Sequence, residues 1–517
     1  MLTELWSFRG RYRILHLTWF AFFLTFVVWF NLAPLATTLK EDLGLSTGQI
    51  RTIGICNVAL TVPARIIIGM LLDKYGPRIT YSLLLMYAAI PCIGFALAQN
   101  FSQLVISRLA LSIVGAGFVI GIRMVAEWFP PKEIGLAEGI YGGWGNFGSA
   151  GAALTLPTIA AWLTFGSGNV LNWRVAIALT GIIAAAYGVF YYFNVQDTPA
   201  GKVYQKPKRA RGLEVTTQKD FWFLMLMNLP LTGVLCLLAW RLSKFGFFNQ
   251  TQLYIVWCCL LGLYAFQAYN CWATNKELVA GEKKYSPADR YKFSQVAILE
   301  LTYFVNFGSE LAVVTMLPTF FEKTFFPDLP SFPEDEKVKI IALVGAIASS
   351  YAFMNLASRP GGGLISDKLG SRKLTMTVLT AGMAICYLMM SRVTGGWWLP
   401  GAVILTMLCS FFVQAGEGST YAIVPLIKRR VTGQIAGNVG AYGNVGAVVY
   451  LTLFSLLPEG DLGNRIFFEV LGVAGMIVAF LCAFCLKEPE GSFAEHHEGE
   501  VPEGLNASDR DTFTAGS

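Results

Sequence analysis

Residues 65–78, RIIIGMLLDKYGPR, return as residues 359–372, RPGGGLISDKLGSR, a constant offset of 359 − 65 = 294. Both fit R-x-x-x-G-x-x-x-D-K-x-G-x-R. Arg65, Gly69, Asp73, Lys74, Gly76 and Arg78 thus correspond to Arg359, Gly363, Asp367, Lys368, Gly370 and Arg372. A second pair is collinear with the first. G-x-x-G-N-x-G at Gly142, Gly145, Asn146 and Gly148 matches Gly440, Gly443, Asn444 and Gly446, at an offset of 440 − 142 = 298. Two ordered motifs at nearly constant separation mean that one half of the chain is a duplicate of the other.

The repeat sits in a chain whose solvent is lipid. Of 517 residues, 55% are hydrophobic and only 14% charged, with a mean hydropathy of +0.54, a balance foreign to soluble proteins. Crossing the bilayer as a helix takes about 20 apolar residues. Such runs occur at about 14–36, 53–73, 81–99, 104–129, 136–162 and 175–195, and again at about 296–321, 340–367, 374–393, 398–426, 433–457 and 466–486. The expected fold is an all-α polytopic membrane protein of two six-helix halves, residues 1–200 and 293–487. Between them, 201–292 reads as a basic loop carrying two extra apolar runs, about 220–240 and 251–272. An even-numbered insertion preserves the sidedness of the second half. Residues 488–517 are polar and acidic and read as a disordered tail.

Lys74 and Arg78, Lys132, Lys202 through Arg211, Lys276 through Lys292, Lys368 through Lys373 and Lys428 through Arg430 all fall in loops of one parity. Basic loops mark the cytoplasmic side, which puts both termini there and accounts for the net charge of +6 without a nucleic-acid partner. The run from Ile14 to Ala36, behind Arg9, Arg11 and Arg13, is too long for a signal-peptide core and reads as a retained first span. The ten cysteines show neither metal-ligand spacing nor a paired framework and read as small core hydrophobes. The sequon at Asn506 falls on the cytoplasmic side and reads as chance. With no nucleophile constellation, metal cluster or cofactor motif, the chain is expected not to be an enzyme and to carry no cofactor or metal. No sensory domain follows the last span to suggest a receptor.

The segment G-x-x-x-D-K-x-G-x-R resembles the loop between the second and third spans of each half in the major facilitator superfamily. That resemblance implies the major facilitator fold and a gating role for the loop. Each aspartate would accept hydrogen bonds near a helix terminus and pair with a loop arginine, holding the halves in one state until they rock. The glycine-asparagine motifs lie inside spans five and eleven, where glycine permits close helix approach and an asparagine needs a partner. One such match would read as packing. Its occurrence in both halves resembles the signature of the nitrate/nitrite porter family, most like the bacterial and cyanobacterial permeases, over about residues 14–486. The resemblance implies import of nitrate, and nitrite with it, across the plasma membrane by alternating access, by a protein working as a monomer.

Arg65 and Arg359 stand one turn before the motif glycine, inside spans two and eight. An arginine at span centre costs about 2.5–3.5 kcal/mol on insertion scales, so two at symmetric positions mark a functional site. Neither has a carboxylate three or four residues away. The expectation is of two unmatched charges facing one cavity, neutralised by an anion. A guanidinium offers two parallel hydrogen bonds to a planar oxyanion, where lysine offers a point charge. Tyr303 and Phe307 are i, i+4 on span seven, and Phe118 lies in span four among Gly115, Gly117 and Gly121. The family resemblance places these three at the site with Asn146, Asn444, Gly145 and Gly443, the rings stacking on a flat anion while Tyr303 and Asn146 donate to it. Trp29 and Phe30 are further candidates for the path.

Coupling to protons needs an ionisable group. The histidines, His16, His496 and His497, are all near the termini. The candidates are therefore carboxylates: Glu417 first, Glu310 second, and Glu127, which is spaced i, i+4 from Arg123, third. A buried carboxylate favours proton symport. Nitrate/nitrite exchange, or carriage of another small anion such as formate or bicarbonate, is the alternative.

Overall fold

A computed structural model describes residues 4–163, 172–206, 212–328, 331–458 and 460–495. Asn506, His496, His497, Lys208, Arg209 and Arg211 lie outside them. The regular structure of the described residues is helical throughout. In the first half the spans run as α1 (Gly10–Phe30) with α2 (Ala36–Asp42), α3 (Thr47–Ala59) with α4 (Thr61–Tyr75), α5 (Pro77–Tyr87) with α6 (Ala89–Leu97), α7 (Phe101–Ser112) with α8 (Gly117–Trp128), α9 (Ile134–Asn146) with α10 (Gly148–Trp162), and α11 (Trp173–Asn194). The insert is α12 (Gln218–Lys244) and α13 (Gln250–Val279). The second half comprises α14 (Phe293–Phe325), α15 (Glu334–Phe353) with α16 (Asn355–Lys368), α17 (Arg372–Met390), α18 (Leu399–Ile427), α19 (Thr432–Leu456) and α20 (Asp461–Phe484).

Among the described residues, twelve helical segments are long and apolar enough to cross a membrane. The runs read at 136–162 and 340–367 are instead pairs of shorter helices, meeting at Phe147 and Met354. At the first motif loop the chain reverses sharply. Gly76 takes φ +94°, a conformation that favours glycine, and Pro77 opens α5 with its preset φ.

The inserted helices have 27 and 30 residues, or about 40 and 45 Å at 1.5 Å per residue, against a hydrocarbon core of about 30 Å. They pack on each other, and α12 touches both halves, through α3 on one side and α14 and α19 on the other. Tyr442 donates to the Met227 carbonyl and Arg241 to Ser455 Oγ at 2.8 Å. The outer face of α13 leaves Tyr254, Leu261, Phe266 and Trp272 exposed, a surface suited to lipid. The cysteine expectation is corrected here: Cys258 and Cys259 are exposed rather than core residues, because α13 packs along one side only, and Cys485 is exposed at the end of α20.

The start of the tail also departs from expectation. Glu488 accepts hydrogen bonds from the Arg372 and Lys373 amides at 2.9 and 3.1 Å and from Ser371 Oγ at 2.9 Å, capping the start of α17. Arg372 holds the Ser492 carbonyl at 3.1 Å, and Lys132 meets the Ala494 carbonyl and Glu495. Residues 488–495 are therefore fastened across the face that carries the basic loops, joining the two halves. Glu488→Ala is expected to lower the thermal unfolding midpoint in detergent, and the exposed Glu490→Ala to leave it unchanged; equal midpoints would show that the cap adds nothing.

Candidate functional site

The two motif aspartates form a reciprocal pair of latches between the halves. Asp73, at the end of α4, accepts from the Gly433 and Gln434 amides at the start of α19, both at 3.0 Å. Asp367, at the end of α16, accepts from the Gly135 and Leu136 amides at the start of α9, at 3.0 and 2.7 Å. Each carboxylate thus sits on the positive end of a helix of the opposite half. Arg372 pairs with Asp367 at 2.9 Å, and Arg123 stands 3.9 Å from Asp73. The motif glycines make this approach possible: a Cβ on Gly69 would lie 2.5 Å from the Gly433 carbonyl, and one on Gly363 would collide with that of Gly135. Lys74 and Lys368 are exposed. Arg78 stacks over Tyr192 at 4.4 Å. Gly370 turns the second loop at φ +69°.

About two turns deeper the two motif arginines cross in the same reciprocal way. Arg65 donates through Nε to the Gly115 carbonyl at 3.3 Å and through Nη1 to the Gly440 carbonyl. Arg359 donates through Nη1 to the Gly142 carbonyl at 3.3 Å and through Nη2 to the Tyr303 hydroxyl at 3.2 Å. Each therefore reaches the first glycine of the other half's glycine-asparagine motif. Both guanidinium groups lie over Phe118, at 5.5 and 5.6 Å from its ring centre, and Arg65 also lies 5.4 Å from Phe307. Phe118, Tyr303 and Phe307 form a parallel stack, with centroids 6.0 and 5.0 Å apart. Gly145 and Gly443 leave room for rings, the first for Phe22 and the second for Tyr303 and Phe307. Asn146 and Asn444 are buried one residue beyond, and among the described residues the Oδ1 of each has no hydrogen-bond partner. The site is closed in this conformation, Arg65 and Arg359 being 1% and 2% exposed.

Several expectations change. Arg359 is not unmatched: it forms an ion pair with Glu417, which lies 58 positions away on α18, beyond any i, i+4 argument. Glu310 accepts from Asn355 at 2.6 Å and Gln414 at 3.1 Å, a pocket of neutral donors. Glu127 pairs with Arg123 at 2.9 Å, as its spacing suggests, and also with Arg429 at 3.0 Å. That places it among the ion pairs beside the Asp73 latch. Trp29 is committed to packing, its indole donating to the Asn57 carbonyl.

The sequence reading missed three side chains. Tyr421 stands edge-on to Phe118 and Tyr303 at 4.6 and 5.0 Å; its spacing, one turn after Glu417, was the available signal. Tyr141 hydrogen-bonds the Phe118 carbonyl at 2.9 Å and fixes that ring's backbone. Arg108, a third buried arginine, binds Asn31 Oδ1 at 2.8 Å and the Trp29 carbonyl at 2.6 Å.

Comparison with known proteins agrees with this architecture. The model of the Major Facilitator Superfamily matches residues 18–325 and 299–508. The chain is 65% identical to the nitrate/nitrite transporter NrtP of Picosynechococcus sp. over 97% of both chains, and 58% identical to that of Nostoc punctiforme over 98% of this chain and 99% of that one. The high-affinity nitrate transporter 2.3 of Oryza sativa is 29% identical over 87% of this chain and 74% of its own. Among solved structures, the human organic anion transporter MFSD10 and the proton:xylose symporter XylE each superpose with a TM-score of 0.59, at 16% and 14% identity, over 92% and 93% of this chain and 100% and 97% of theirs. That likeness concerns the fold alone. With its duplicated halves, reciprocal latches and full-length similarity to these porters, the chain belongs to the major facilitator superfamily and, within it, to the nitrate/nitrite porter family of membrane carriers.

Proposed function

We propose that this protein imports nitrate, and nitrite with it, across the plasma membrane by alternating access, bringing protons in the same direction and working as a monomer with both termini in the cytoplasm. The observation that carries the reading is the meeting of Arg65 and Arg359, from equivalent helices of the two halves, over the Phe118–Tyr303–Phe307 stack. A flat oxyanion can take two parallel hydrogen bonds from a guanidinium edge while its face lies on a ring. A tetrahedral sulfate or phosphate cannot lie flat in the same place. The NrtP relatives are transporters of these same substrates.

Glu417 gives this site its coupling logic. A carboxylate presents to Arg359 the same planar two-oxygen edge as nitrate, so the two compete for one guanidinium. A proton on Glu417 removes the competitor, and anion and proton then enter together. With the cytoplasmic latches closed, as here, the bound pair lets the outer side close. The Asp73 and Asp367 contacts then part and the pair is released inward.

The test is uptake of labelled nitrate by proteoliposomes, with and without an inward proton gradient. Accumulation driven by the gradient supports symport. Uptake only against internal nitrite would replace symport by exchange, and no nitrate flux in either case would sink the reading. Glu417→Gln leaves Arg359 buried without its counter-charge, a loss of about 3–5 kcal/mol. Nitrate is therefore expected to raise the unfolding midpoint of this variant more than that of the wild type, since it restores the missing charge. Equal shifts would mean that nitrate does not meet Arg359.

A further inference from the structure

Between α4 and the inserted pair α12 and α13 two cavities adjoin, sharing Ile66, Asn228 and Gln267 in their walls. The inner one is bounded also by Gln434 and Asn438 of α19 and measures about 10 Å³. The outer one measures about 70 Å³ and is walled by Val62, Leu231 and Leu235. Ile67 and Leu263 line it too and are 49% and 45% exposed, which puts its mouth on the surface that faces lipid. A water-sized group needs about 10–15 Å³, so the inner chamber admits about one such group and the outer about five to seven.

The inner chamber is polar and short of hydrogen bonds. Asn228 is 6% exposed, and its Nδ2 has no acceptor among the described residues. Gln434 is 3% exposed, and its Oε1 has no donor among them. Unpaired amide groups inside a membrane bundle are costly. One of these orphans is a donor and the other an acceptor, so a single hydroxyl satisfies both, accepting from Asn228 and donating to Gln434. Among the described residues no Lys, Arg, His, Asp or Glu lines either cavity, which leaves a phosphate or carboxylate without a cation. The aliphatic outer walls suit methylene groups. The two ends are also ordered as in a lipid leaflet. Counting from Gln218, where α12 leaves the basic loop, Asn228 is about 15 Å along the helix and Leu235 about 26 Å. The polar end is therefore nearer the latches and the apolar end nearer mid-span.

We propose that this cleft binds a membrane lipid with a neutral, hydroxyl-bearing head, of the monoacylglycerol kind. One hydroxyl sits between Asn228 and Gln434, and the acyl chain leaves between α4 and α12 toward the middle of the bilayer. The site does not depend on which anion is carried or on how transport is coupled. The Gln434 amide is the one that Asp73 holds at 3.0 Å, so the bound lipid joins the inserted helices to that latch.

The test is thermal unfolding of the purified chain in dodecyldimethylamine oxide, a detergent without a hydroxyl, with monoolein, methyl oleate or sodium oleate added at equal mole fraction. Monoolein is expected to raise the midpoint by at least about 2 °C, and the other two by less than half as much. Asn228→Leu removes a buried orphan donor while keeping the bulk, so this variant should unfold no earlier than the wild type and lose the response to monoolein. Gln434→Met keeps the backbone amide for Asp73 and should lose the response as well. An equal rise with methyl oleate would show that the chain alone is bound and overturn the hydroxyl assignment. An equal rise with oleate would overturn the neutral head. No rise with any of the three, or an undiminished response in both variants, would remove the site.

Discussion

Arg65→Lys, and separately Arg359→Lys, is expected to reduce nitrate uptake in proteoliposomes to near background, although each keeps the positive charge. Arg65 places one nitrogen on the Gly115 carbonyl and another on the Gly440 carbonyl while its plane lies near two rings. Arg359 divides its fork among the Gly142 carbonyl, the Tyr303 hydroxyl and Glu417. An ammonium on a flexible stem cannot make these contacts and offer a planar edge at the same time. A hydrogen bond to a charged group contributes about 1.5–3 kcal/mol, so losing one that is made to the anion weakens binding roughly 10- to 150-fold. Size-exclusion profiles like that of the wild type would show that the fold survives. Uptake within twofold of the wild type would sink the two-arginine site.

Gly363→Leu should be nearly as damaging by a different route. Any side chain at Gly363 runs into the Gly135 carbonyl, where two helices of opposite halves meet backbone to backbone. Overpacking costs about 1–3 kcal/mol, which would bias the carrier about 5- to 150-fold away from the state in which the latches are closed. Net uptake should fall at least about tenfold, while nitrate binding to the purified variant stays within a few fold of wild type, because Gly363 lies one turn along α16 from Arg359, toward the latch. Normal uptake would mean that the close approach is not required for the cycle.

The sequence reading reached the latches and the arginines because both are local patterns that occur twice. The aspartates were legible as cappers from their place at a helix end, and the arginines from the cost of holding them in a span. What escaped was every pairing between helices remote in sequence. Glu417 was singled out for its burial, but its bond to Arg359 depends on how α16 and α18 pack. The breaks at Phe147 and Met354 were hidden inside apolar runs that read as single spans.

The cap at the start of α17 reaches further back than the present protein. Glu488 accepts from the Arg372 amide at 2.9 Å, and in the first half Asp197, just past α11, accepts from the Arg78 amide at 2.8 Å. The separation, 488 − 197 = 291, is close to the 294 and 298 of the motifs. A carboxylate after the last helix of each half therefore secures the third span of the same half. The two halves thus end alike, and the segment that looks like a terminal appendage does for the second half what Asp197 does for the first.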